Sequence, residues 1–104
     1  MPRPESVTHE DIRRWDEEIN QDPEMRLMGS FALIREVCYA GAWIADELER
    51  LMCPDEYIAR IRYTVGNLSF GRDPWEVAAR LLRQYKNNEL EFEVEANART
   101  SQAN

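Results

Sequence analysis

The chain has 104 residues, 43% of them hydrophobic and 10% aromatic, with 13 basic and 20 acidic side chains and a net charge of −7. That size and composition fit one folded domain and exclude a disordered chain. The acidic balance argues against a general nucleic-acid binder, which needs clustered Lys and Arg to meet phosphate, and suits solubility or a basic partner. Charge is uneven: residues 1–53 carry 12 acids and 6 bases, residues 54–88 carry 4 and 6, and residues 89–104 carry 4 and 1.

Residues 1–7, with Pro2 and Pro4, read as a loose N-terminal tail, and their lack of an apolar run argues against a signal peptide. The helical domain is expected over residues 8–88. Thr8 followed by Asp11 has the form of a capping box, and Ile12, Trp15 and Ile19 recur at helical spacing on an otherwise charged segment ending near Asn20.

The dominant feature is Pro23 to Arg50, which reads as one long or once-broken helix opened by the cap pair Asp22-Pro23. It is too apolar for a surface helix and too interrupted by charge for a membrane span. It is therefore expected to be central, with other helices around it. On a helical wheel, Leu27, Phe31, Leu33, Ile34, Val37, Cys38, Ala40, Gly41, Ile44, Ala45, Leu48 and Leu51 form an apolar arc too broad for one neighbour. A second copy of the chain is one way to cover it. The small residues Ala40, Gly41, Ala42 and Ala45 suit close helix approach.

The other arc carries Arg35, Glu36, Asp46, Glu47 and Arg50 together with Tyr39 and Trp43, which are four residues apart and share a ridge. Aromatics framed by charge suit a protein interface. The alternative is that Trp15 of the first helix, or Phe92 of the tail, covers them.

Cys53-Pro54 breaks the chain after Met52 and opens a third helix, about Pro54 to Val65, with Ile58, Ile61, Val65 and Leu68 on one face. Gly66-Asn67 is read as its end. Asp73-Pro74-Trp75-Glu76 is the strongest helix start in the chain. It leads into a fourth helix to about Lys86, with Val77, Ala78, Leu81, Leu82 and Tyr85 inward and Arg80, Arg83 and Lys86 outward. Phe70, Arg72 and Trp75 form a candidate contact loop, unless Trp75 folds back to staple the helix start. The acidic tail over residues 89–104 begins with strict alternation through Leu90, Phe92 and Val94. It either lies along the bundle, pairs with a partner or with its own copy, or stays disordered.

The fold expected is therefore all-α: a small bundle of about four helices with a long central helix and an extended acidic C-terminal tail. Residues with catalytic potential are scarce. The chain has one histidine, His9, and two cysteines, Cys38 and Cys53, which lie roughly 20 Å apart along a continuous helix. That is far beyond disulfide reach and assembles no zinc pattern, so reduced thiols in a cytoplasmic protein are expected. Cys38, within the apolar arc, is read as buried and inert, and Cys53 as the more accessible thiol. No phosphate-cradling glycine loop is present. The acidic clusters Asp16-Glu17-Glu18 and Asp46-Glu47-Glu49 lack the glycine-hinged spacing of a calcium loop and read as solvated faces. The third and fourth helices superficially suggest a DNA-binding pair, but the Gly66–Asp73 connection is too long for the usual turn.

No cofactor, metal or catalytic residue is assigned. The expected function is a non-enzymatic accessory or regulatory protein that binds another protein. Its candidate contacts are Arg35, Tyr39, Trp43, Asp46, Glu47, Phe70, Arg72 and Trp75. Two alternatives accompany it. One is an inhibitor that imitates nucleic acid with Asp16, Glu17, Glu18, Asp46, Glu47 and Glu49, and the other is a small helical enzyme or cofactor-binding subunit.

Overall fold

A computed structural model describes residues 3–28, 31–69 and 71–90. Among them lie five helices: α1 (His9–Gln21), α2 (Pro23–Met28), α3 (Ala32–Arg50), α4 (Asp55–Leu68) and α5 (Pro74–Lys86). The all-helical bundle expected from the sequence is what forms. The long apolar stretch is broken once, so its halves are α2 and α3.

Local chemistry accounts for most boundaries. Thr8 Oγ1 accepts from the Asp11 amide at 3.2 Å while the Asp11 carboxylate accepts from the Thr8 amide at 3.0 Å, closing a capping box on α1. Asp22 receives the Glu24 amide at 3.0 Å at the head of α2. Asp73 receives the Trp75 amide at 2.9 Å, with Pro74 in the first turn of α5. Met52 turns the chain between α3 and α4 with a φ of 62°. Contrary to the expected end at Gly66-Asn67, α4 runs on to Leu68. The buried Ser69 closes that last turn, its amide and its hydroxyl both donating to the Val65 carbonyl.

Helix α3 is the axis. Its turn into α4 is short, so the two run antiparallel. Helix α5 runs parallel to α3, from Trp75 beside Glu36 to Tyr85 beside Cys53. Helix α1 runs antiparallel to α3, with Arg14 at Asp46 and Asp16 at Arg35. Three helices therefore flank α3. The core is Trp15 and Ile19 of α1, Tyr39, Ala40, Ala42, Trp43, Ile44 and Leu48 of α3, Ile61 and Val65 of α4, and Trp75, Val77, Ala78, Leu81 and Leu82 of α5. Six consecutive residues, Tyr39 to Ile44, are buried, so the middle of α3 has no outward face.

Two terminal segments attach to this bundle. Arg3 reaches back to Glu36 and Val7 packs against the core, so the segment read as a loose tail holds on to the bundle. Leu90 also packs against the core. Phe92 and Val94, with the rest of the alternating tail, lie outside the described residues.

Candidate functional site

The candidate contacts read from the sequence separate into two groups. Tyr39, Trp43 and Trp75 are 4%, 8% and 3% exposed, so the aromatic ridge belongs to the core. The wheel misplaced it because a helix with three neighbours buries even the side where its charges cluster. Trp15 covers Tyr39, ring centroids 6.2 Å apart, and Trp75 packs edge-on to Trp43 at 6.2 Å. Arg35, Asp46 and Glu47 are half-buried and Arg72 is exposed, while Phe70 lies outside the described residues.

The charges of that arc hold the polar ends of the buried aromatics. Asp46 accepts from the Trp15 indole at 3.3 Å and from Arg14 at 2.8 Å. Asp16 accepts from the Tyr39 hydroxyl and, at 3.1 Å, from Arg35. Glu36 accepts from the Trp75 indole at 2.7 Å and pairs with Arg3. Desolvation would lift the Glu36 carboxyl, but the Arg3 and Trp75 hydrogen bonds outweigh it and hold it below the ordinary carboxylate value. Burial, reinforced by the bond to Asp16, pushes the Tyr39 hydroxyl up. The Trp43 indole nitrogen is buried without a hydrogen-bond partner among the described residues.

Of the six acids that could stand in for phosphates, Asp16, Asp46 and Glu47 are thus held by Arg35, Arg14 and Arg50, while Glu17, Glu18 and Glu49 are exposed. Pairing cancels half of the charge that imitation of a nucleic acid would present.

The three gaps around α3 differ. Helices α4 and α5 pack on each other and close the first. In the second, between α1 and α5, Asp16 of α1 and Trp75 of α5 each bond to α3, at Tyr39 and Glu36, and Arg3 of the N-terminal segment lies on Glu36. The third, between α1 and α4, stays open as a groove of about 280 Å³. Val37, Cys38, Gly41 and Ala42 form its floor. Trp15, Ile19 and Met25 make one wall with the acids Glu18 and Asp22, and Arg62 and Gly66 make the other. A methyl group added at Gly41 would touch Arg62 Cγ at 3.4 Å, so this glycine lets the Arg62 stem lie against α3.

Phe31, Ile34 and Cys38 follow one another at helical spacing on α3, so the floor continues toward the start of that helix. There the apolar arc departs from its expected burial. Leu27, Phe31 and Leu33 are 73%, 62% and 67% exposed, because α4 and α5 cover mainly the later turns of α3. Leu51 and Met52 protrude at the opposite end.

The two thiols also exchange roles. Cys53 is buried, donating weakly to the Pro54 carbonyl at 3.7 Å, whereas Cys38 is half-buried in the groove floor. Burial pushes the Cys38 thiol up despite the nearby Arg62 and Arg35. Cys38 was misread because its wheel position is apolar, yet the flanking helices leave it only half covered at the groove floor. The signal available in the sequence was the excess width of the apolar arc, which needs more covering than the described helices supply.

No group of three or more His, Cys, Asp or Glu side chains among the described residues could hold a metal ion. None of the described helices is long and apolar enough to cross a membrane. No family model, curated protein or solved structure matches this chain.

Proposed function

We propose that this protein is a non-catalytic accessory or regulatory protein, and that it works by receiving a helical segment of another protein in the groove between α1 and α4. The observation that carries this reading is the open side of α3. The groove floor there is apolar, with Val37 and Cys38 half-buried; Phe31, at the start of α3, and Leu27, on the helix whose Met25 lines the wall, are exposed. Large apolar side chains exposed on the helices that build a groove are what a helix-in-groove interface uses as anchors.

The rims give the partner a chemistry. Glu18 and Asp22 on the α1 wall favour Lys or Arg along one edge of the incoming helix, and Arg62 on the α4 wall favours an acid along the other. A net charge of −7 further favours a basic partner through long-range attraction.

The test begins with capture from the native source, followed by reconstitution with the purified captured protein. The double variant Leu27→Ser, Phe31→Ser changes exposed side chains and should cost no more than about 0.5 kcal/mol of stability per site. It is expected to weaken the reconstituted complex tenfold or more while the circular dichroism stays that of the parent. Equal affinity of parent and variant would remove the groove from the interface.

A further inference from the structure

The N-terminal segment carries a second recognition element, on the side of α3 away from the groove. Arg3 Nε lies 3.3 Å from Glu36 Oε2, and its Nη2 pairs with Glu36 Oε1, so the guanidinium meets the carboxylate with two donors. Its carbon stands 5.4 Å from the centroid of the Tyr39 ring, within the range of a cation–π contact. Asp16 adds a second negative charge nearby.

Neither partner is held in place by Arg3 alone. Glu36 Oε2 is fixed at 2.7 Å by the Trp75 indole, and the Tyr39 hydroxyl is bound to Asp16, which Arg35 also holds. The seat is thus anchored by α1, α3 and α5, while its occupant comes from outside the helices. The Arg3 side chain itself remains 44% exposed.

We infer that the Glu36–Tyr39 seat is an arginine-recognition site, filled in cis by Arg3, which an arginine on an extended segment of a partner protein can take over. A planar guanidinium fits because it meets a carboxylate with two parallel donors and also lies over an aromatic ring. A lysine offers a single point charge and meets neither demand as well. The in-cis occupant would then regulate access: residues 4–8 tether Arg3 to α1, which gives it an effective concentration of about the millimolar range, so an isolated arginine competes poorly. A partner that also engages the groove overcomes this by binding at two places. The inference rests on the reading of this protein as one that binds another, but it concerns a separate surface and fails or stands on its own experiment.

That experiment uses the full chain, the variants Arg3→Ala and Arg3→Ala with Glu36→Gln, and the peptide acetyl-Pro-Arg-Pro-amide with its lysine counterpart. The indole N–H resonance of Trp75, assigned by loss in Trp75→Phe, reports on Glu36. In Arg3→Ala the arginine peptide should shift this resonance with a millimolar dissociation constant. In the parent chain binding should be about fivefold weaker, because Arg3 competes. Glu36→Gln should abolish it, and the lysine peptide should bind at least threefold more weakly than the arginine one. A second readout needs no variant: adding the arginine peptide to the parent should move the Arg3 Nε–H resonance toward that of a free arginine side chain. The inference is overturned by any one of three results. These are equal affinity in the parent and Arg3→Ala, binding that survives Glu36→Gln, and lysine binding as well as arginine. An unmoved Arg3 resonance at saturating peptide overturns it too. Loss of the groove interaction in Leu27→Ser, Phe31→Ser would leave all of these outcomes unchanged.

Discussion

Trp43 and Trp75 make opposite predictions for the same substitution. Both are buried and pack edge-on to each other, so replacing either by Phe removes a similar amount of ring. That loss is about 40 Å² of apolar surface, or about 1 kcal/mol. The polar consequences differ in sign. Trp75→Phe removes the donor 2.7 Å from Glu36, a hydrogen bond to a charged group worth about 1.5–3 kcal/mol. The Glu36 side chain is 34% exposed, so water partly substitutes and the lower end, about 1.5 kcal/mol, applies. Trp43→Phe instead removes a buried N–H that has no partner among the described residues, which relieves a desolvation cost of about 1–2 kcal/mol. Trp75→Phe should therefore destabilise by about 2.5 kcal/mol and Trp43→Phe by about zero. For a domain of this length the difference amounts to roughly 10 °C or more in Tm. Urea unfolding followed by circular dichroism measures both, provided that the slopes with denaturant agree. If Trp43→Phe costs as much as Trp75→Phe, the assignment of acids as holders of the aromatic polar ends is wrong.

Further outcomes follow from the thiols and from acid titration. Cys38 should react with a small disulfide reagent in the native protein well before Cys53, and Cys38→Ser should abolish the fast phase. Its raised pKa makes that phase slow at pH 7 and faster toward pH 9. Glu36 and Asp11 both sit below their ordinary values, so the unfolded chain binds more protons at these sites than the folded one. Their contribution is present above about pH 4.3 and is lost as pH falls through the lower folded values. Unfolding free energy should decline below about pH 4.3, and Glu36→Gln should flatten that decline. An unaltered slope in Glu36→Gln would show that Glu36 is not among the groups responsible.

Much of the fold was legible because short-range chemistry wrote it. Thr8 and Asp11, Asp22-Pro23 and Asp73-Pro74 are caps whose effect depends on residues no more than three positions away, and each opens the helix it announces. The Ile12–Trp15–Ile19 stripe also points inward. The functional surface was harder to read, since it depends on which helix covers which arc. Tyr39 and Trp43 looked available because charges accompany them, yet Asp16, Glu36 and Asp46 are there to satisfy Tyr39, Trp75 and Trp15 once the helices have packed. Those pairings span 23, 39 and 31 residues, far beyond any local signal. Conversely, Phe31 and Cys38 looked buried by type, yet Phe31 precedes the turns of α3 that α4 and α5 cover, and Cys38 is only half-buried in the groove floor. The breadth of the apolar arc carried that information without saying which part of the arc would stay uncovered.

Cys38 offers the most direct test of the groove, because a bulky maleimide attached there fills its floor without altering the rims. Selective alkylation is confirmed by mass, and the affinity of the alkylated and unmodified protein for the reconstituted partner is then compared. A groove that receives the partner predicts at least a tenfold weaker complex for the alkylated protein with the helical fold intact. Equal affinity of the two forms would contradict it.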